Sequence, residues 1–234
     1  MFRLTLMTSL ALGSFMFGTG CGLIDSNIAD FDLSLPAKEI SVDTADWMLA
    51  GGTMVPAVDC SENATICDAA VSQFCGNESL CAGSCDGQSC RADVAVNLFR
   101  SFDLAQEKPE LREIDGKPLI DVSISRISYT ITENTMNVDS TPMGIYIGPQ
   151  TAMTIDHSDA ELIGTIPVIA AGQTLASTEV ELVADAKKIV GRYMREYSTP
   201  FNIIMGSTVA LKAADILPTG KLVAVVEVRA TAGF

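Results

Sequence analysis

The chain has 234 residues, a formal net charge of −14 and 6% aromatic residues. This acidic balance argues against nucleic acid and against anionic membrane surfaces as electrostatic partners. Because aromatic residues are scarce, the core must be built mainly from aliphatic side chains, and the length is sufficient for one large β domain.

Residues 1–20 predict a secretory signal peptide. Arg3 is the only charged residue before Asp25, and Leu4–Phe17 is apolar but shorter than the ~20 residues that a membrane span requires. Small residues at 18–20 end the stretch. A positive end, a short apolar stretch and small residues at a cleavage site are typical of exported proteins. No later uncharged apolar run is long enough to predict a second membrane segment.

Cys21 directly follows Gly18-Thr19-Gly20, and this sequence resembles the lipobox of bacterial lipoproteins. In that family, signal peptidase II cleaves before the cysteine, and the cysteine thiol carries a diacylglyceryl group. The resemblance implies that Cys21 is lipidated, that residues 21–30 form a lipid-attached tether, and that the membrane is a partner through this lipid. About eight extended tether residues would reach roughly 25–30 Å.

The residues around Cys21 refine this expectation. Gly22 stands where lipoproteins retained in the inner membrane carry Asp, so the resemblance implies the bacterial outer membrane. Gly18 stands where the lipobox usually has Leu. Ordinary cleavage to a soluble secreted protein and an uncleaved N-terminal anchor therefore stay open.

Six further cysteines predict a disulfide-stapled loop subdomain, inserted at about 55–92. Exported proteins meet an oxidising compartment, so an even local cluster indicates three disulfides, although its spacing does not select the pairing. Zinc is disfavoured because the cluster has no CxxC pair and no nearby histidine. The cysteines are Cys60, Cys67, Cys75, Cys81, Cys85 and Cys90.

Alternating apolar residues predict many short strands between residues 31 and 234. The buried phase changes between Ile124 and Ile127, which predicts a β-bulge near Ser125-Arg126. Gly206 is expected to end one strand, and Leu222–Val228 is expected to be a central strand buried on both faces. Residues 105–118 are polar and predict a loop.

One amphipathic helix is predicted at about 184–197, since Ala186, Val190 and other apolar residues recur at helical spacing. Its other face is basic and could contact an acidic partner or lipid headgroups, or could be an ordinary solvated face. The basic residues are Lys187, Lys188, Arg192 and Arg195.

Together these elements predict a mainly β fold: one immunoglobulin-like β-sandwich domain at 31–234 with one amphipathic helix. About half of the chain resembles the WHy-type domains of late-embryogenesis-abundant proteins, which are non-catalytic immunoglobulin-like sandwiches. The segments that carry the resemblance are Ile166-Pro167, 171–174, Thr199-Pro200-Phe201 and 217–220.

Few residues offer catalytic or metal chemistry. Asp156, His157, Asp159 and Glu161 are a weak candidate for a divalent cation, and a polar turn is the alternative interpretation. The sequence has no GxSxG, HExxH, P-loop or dinucleotide motif, so no cofactor is expected. Trp47, the single tryptophan, is expected to fill the core.

These observations leave several functions open. A membrane-anchored, non-catalytic binding or structural module with an unidentified protein partner is favoured, because rigid scaffolds present stapled loops for recognition. The alternatives are an exported carboxylate-dependent hydrolase, which needs two close carboxylates in a cleft, and a carrier of apolar ligands, which needs a large internal cavity.

Overall fold

The computed structural model describes residues 31–47, 54–55, 57–61, 63, 65–75, 81–109, 111 and 121–233. The predicted signal peptide, Cys21 and the predicted tether lie outside these ranges. The described residues form two antiparallel β-sheets that enclose an aliphatic core, so the predicted mainly β sandwich is confirmed.

Strand β11 is the centre of the first sheet, with β1 and β2 on one side and β5, followed by β8, on the other. The second sheet has the order β3-β4-β10-β6-β7-β9. The strands of the first sheet are β1 (Phe31–Asp32), β2 (Leu35–Asp43), β5 (Asp121–Asn134), β8 (Leu175–Glu179) and β11 (Lys221–Gly233). Those of the second are β3 (Cys81–Asp86), β4 (Ser89–Phe102), β6 (Met143–Pro149), β7 (Glu161–Ile166), β9 (Glu181–Leu182) and β10 (Phe201–Lys212).

Helix α3 (Ala186–Arg195) confirms the predicted amphipathic helix. Ala186, Val190 and Met194 recur every four residues and are buried, so one stripe of the helix packs between β5 and β7. The described residues also contain α1 (Ile66–Phe74), α2 (Leu104–Glu107) and a 3-10 helix at Thr44–Trp47.

The loop prediction for 105–118 is wrong at its start, where α2 forms. The Asp103 side chain caps this helix by accepting a hydrogen bond from the Gln106 N–H, and Leu104 anchors it in the core. Residues 112–120 lie outside the described part of the chain.

The predicted β-bulge lies at Ser125. Arg126 pairs with Arg229 and Ile124 pairs with Ala230, so Ser125 is an extra residue on β5. Its hydroxyl donates to the Arg229 carbonyl at 3.0 Å. The extra residue lets apolar residues on both sides of the bulge face the same core.

Gly206 does not end a strand, because β10 continues through it. A Cβ at Gly206 would lie 2.7 Å from the Val96 carbonyl oxygen and 2.6 Å from a methyl carbon of Ile155. The glycine therefore admits the loop that carries Ile155 onto the sheet. The alternation of β10 also keeps its phase across Gly206, as expected for one continuous strand.

Strand β11 is buried as predicted on its inner face, where Leu222 and Ala224 join the core. On its outer face Val223 is buried, but Val225 is only half-buried. The prediction that this strand is buried on both faces is therefore only partly confirmed.

The sandwich has two distinct ends. Phe31 pairs with Ala232 near the end of β11, whereas Asp43 pairs with Lys221 at its start. We call the end at Phe31, Asp121 and Gly233 the N-terminal pole, and the end at Asp43, Asn134 and Lys221 the cysteine pole. Since β11 has 13 residues, the poles are about 40 Å apart.

Candidate binding site at the cysteine pole

Three disulfides staple the predicted cysteine-rich insertion, and all six predicted cysteines take part. They join Cys60 to Cys85, Cys67 to Cys90 and Cys75 to Cys81. The first two tie the segment before β3, including α1, to the β3–β4 hairpin. The Sγ atoms of Cys60, Cys67 and Cys85 lie within 4.8 Å of one another, but each is oxidised in a disulfide and offers no thiolate to a metal.

This module has a small hydrophobic core of its own at the cysteine pole. Val55, Val71, Leu211 and Leu217 pack there with buried cysteines. Gly83 lets α1 lie directly on β3, because a Cβ at that position would be 2.5 Å from the Asp68 Cα. The disulfides and this close packing make the module a rigid extension of the sandwich.

An apolar cleft opens between the two sheets at the same pole. Side chains from both sheets and from the adjoining loops line it. The cleft volume is about 50 Å³. The apolar lining residues are Val42, Trp47, Val96, Leu98, Met136, Val138, Met143, Ile169, Met205, Val209, Pro218 and Leu222.

Polar side chains around the cleft form hydrogen bonds with other groups of the protein. The Asn134 Nδ2 donates to the Ala170 and Gln173 carbonyls at 2.9 and 3.1 Å. The Thr141 and Ser207 hydroxyls lie 2.6 Å apart. These bonds fix the surrounding loops, so the cleft presents mainly hydrocarbon to an occupant.

Trp47 lines the cleft and is only half-buried, but it also packs against the hydrophobic core of the cysteine module, so the expectation that it fills the core is met only in part. It ends the 3-10 helix that begins at Thr44. The Thr44 Oγ1 accepts a hydrogen bond from the Gly220 N–H at 2.9 Å, and the Thr44 N–H donates to the Gly220 carbonyl at 3.1 Å. This reciprocal pair fixes the helix against the start of β11 and thereby positions Trp47.

Exposed apolar side chains lie on chain segments next to those that line the cleft. Met54 and Ile216 face each other across an isolated β-bridge and are 56% and 61% exposed. Val168, next to the cleft residue Ile169, is 53% exposed. Apolar side chains that stay exposed beside a concave surface are typical of interaction sites.

The candidate metal residues form a polar turn. The His157 N–H donates to the Thr154 carbonyl at 3.2 Å, and the His157 Nδ1 accepts from the Asp159 N–H at 3.2 Å. Glu161 instead forms an ion pair with Arg192 on α3. Asp156, His157, Asp159 and Glu161 do not gather as a ligand set in the described structure.

A second, open groove of 420 Å³ separates this turn from α3. Asp159, Glu161 and Glu196 line it together with Arg192 and Tyr193. Burial raises the pKa of the Tyr193 hydroxyl, and the negative charge of Glu161 raises it further. Three carboxylates thus line the same groove, but that of Glu161 is already paired with the guanidinium of Arg192.

The sequence did not reveal the cleft, since its lining residues, such as Val42 and Leu222, are far apart along the chain and meet only through strand pairing. The residues Pro218-Thr219-Gly220, which have the composition of a turn, are a local signal that could have pointed to one of its loops.

No protein-family model and no curated protein matches this chain. No helix in the described ranges is long and apolar enough to cross a membrane.

Proposed function

We propose that this protein is an exported lipoprotein, anchored to the bacterial outer membrane through Cys21, whose cysteine pole binds an apolar segment of a partner protein without catalysis. The observation that carries the proposal is the opposition of the two poles. The chain enters the sandwich at Phe31, and the apolar cleft and the disulfide-stapled module lie about 40 Å away at the other end. An anchor at Cys21 would leave the cleft accessible to a partner.

The size of the cleft supports a small apolar group as its occupant. A volume of about 50 Å³ suits one or two aliphatic side chains and is far below the several hundred cubic ångströms of a ligand-carrying cavity. The exposed Met54 and Ile216 beside the cleft would extend the contact over a peptide surface. A partner with exposed leucine or valine side chains fits this chemistry better than a lipid acyl chain.

A carboxylate-dependent hydrolase is the second candidate, favoured by the three acidic side chains in the groove beside α3. It is tested separately: if the groove is catalytic, the double variant Asp159→Asn and Glu196→Gln should abolish the hydrolytic activity. The same double variant would leave binding at the cleft unchanged, since the groove lies at the opposite pole.

Trp47 provides a direct test, because it is the only tryptophan and it lines the cleft. Titration with a short leucine-containing peptide is expected to shift its fluorescence emission saturably. Val138→Phe, which fills the cleft, should abolish the shift, and Leu162→Phe, on β7 towards the N-terminal pole, should preserve it. Absence of any shift, or a shift that persists in V138F, would refute binding at this cleft. A shift with decanoate but not with the peptide would favour the carrier.

A further inference from the structure

Helix α3 presents an exposed basic surface, which we call the basic face and define as Lys187, Lys188, Arg192 and Arg195. Arg192 is paired with Glu161. The other three cations have no ion pair with any residue that the structure describes. Exposed, unpaired cations on one short helix are available for an anionic surface.

The basic face lies close to the point where the chain enters the sandwich. A Cβ at Gly191 would be 3.4 Å from the Val122 carbonyl oxygen. Val122 pairs with Ala232, which pairs in turn with Phe31. Two strand spacings separate Val122 from Phe31, so these residues are about 10 Å apart. Helix α3 and the entry of the chain thus share the N-terminal pole.

The charge of α3 contrasts with that of the chain. Its four basic residues outnumber the two acidic residues at its ends, Asp185 and Glu196. Asp159 and Glu161 lie across the groove beside it, and Glu161 is paired with Arg192. The whole chain carries a net charge of −14. An anionic surface would attract this helix and repel most of the remaining surface. Such a distribution favours one orientation of the molecule.

We propose that the basic face contacts the anionic lipid headgroups of the membrane in which the Cys21 lipid is inserted. The inference rests on the proposed anchoring. The ten peptide units from Cys21 to Phe31 reach at most about 33–36 Å, which permits many orientations of the sandwich. Contact through α3 selects the one in which the N-terminal pole lies on the bilayer and the cysteine pole points away from it.

The test uses residues 21–234, coupled through the Cys21 thiol to a maleimide lipid in vesicles. Six of the seven cysteines are in disulfides, so Cys21 is the coupling site. One vesicle set contains phosphatidylcholine alone, and the other also contains phosphatidylglycerol. Since the lipid is attached chemically, the result does not depend on whether a cell lipidates Cys21.

Lysine accessibility is then measured by amine-reactive labelling and peptide mass spectrometry. Lys187 and Lys188 are expected to react roughly 5-fold more slowly on the anionic vesicles than on the neutral ones, and this protection should disappear at high salt. The exposed Lys212, near the cysteine pole, should react equally on both sets.

Arg195→Gln removes one cation but keeps both reporter lysines, and it should lower their protection from roughly 5-fold to roughly 2-fold. Lys212→Gln is the matched control and should leave the protection unchanged. Equal labelling of Lys187 and Lys188 on both vesicle sets, or protection that survives high salt, would overturn the contact. Failure of the anchor itself would be visible separately, as a missing lipid mass on Cys21 in cells.

Discussion

Gly220 controls the geometry of the cleft through its backbone conformation. Its φ is +116°, which side chains rarely permit, and a Cβ there would lie 2.3 Å from the Thr135 carbonyl oxygen. Through its hydrogen bonds to Thr44, the same residue fixes the 3-10 helix that ends at Trp47. Gly220 thus links the start of β11 to the position of Trp47, one of the side chains that line the cleft.

Gly220→Ala is therefore expected to lower the free energy of unfolding by about 3 kcal/mol and to red-shift Trp47 emission. Gly172→Ala is the matched control. Gly172 also has a positive φ, +71°, but a Cβ would meet nothing within 4 Å, so about 1 kcal/mol is expected. Chemical denaturation measures the free energy of unfolding of both variants. Equal losses in the two variants would show that crowding at Gly220 is unimportant.

Tyr193 gives a prediction for alkaline pH. Its folded pKa is raised above 10.0, first by burial and then by Glu161, so the folded state prefers the neutral hydroxyl. The resulting stability is complete below pH 10 and is lost as pH rises through the folded pKa. Denaturation of wild type and Tyr193→Phe across this window should show a steeper loss in wild type. Parallel pH profiles would contradict the assignment.

At the level of secondary structure, the elements that depend on local alternation could be predicted. The change of phase on β5 located the bulge at Ser125, and the apolar stripe of α3 located the helix. The prediction that Gly206 ends a strand is wrong, because a glycine that leaves room for a neighbouring loop looks the same in sequence as one that ends a strand. The cysteine pairing could not be predicted, since it depends on where α1 and the β3–β4 hairpin meet.

The disulfide-stapled module should lose order independently of the sandwich, because its hydrophobic core is a separate cluster. Replacing Cys67 and Cys90 by alanine is expected to destabilise it by about 3.5 kcal/mol, by the chain-entropy estimate for their separation of 23 residues. Hydrogen exchange should then quicken in α1 and β3 while β5 and β11 stay protected.

The Cys75 and Cys81 double alanine variant is the control for this prediction. Its bridge spans a sequence separation of only 6, and about 2 kcal/mol is expected. If removal of the Cys67–Cys90 bridge instead unfolded the whole chain in one transition, the two clusters would not be independent units.

The two poles of the molecule carry different structural features. The N-terminal pole carries the chain entry and the basic face of α3, and the cysteine pole carries the cleft and the stapled module. The sequence predicted the sandwich, the helix and the disulfide cluster. It did not predict that the helix and the disulfide cluster lie at opposite ends of the sandwich. That arrangement depends on the register of β11 with β1, β2 and β5, which pair across most of the chain length.

Lipidation of Cys21 is measured by intact-mass spectrometry of the mature protein, extracted from membranes of a Gram-negative host. We expect a chain that begins at Cys21 and carries the mass of a diacylglyceryl group. A Cys21→Ser variant should lack this mass and should leave the membrane fraction or keep its first 20 residues. A wild-type protein with an unmodified N-terminus at or beyond residue 21 would show that Cys21 is not a lipid anchor.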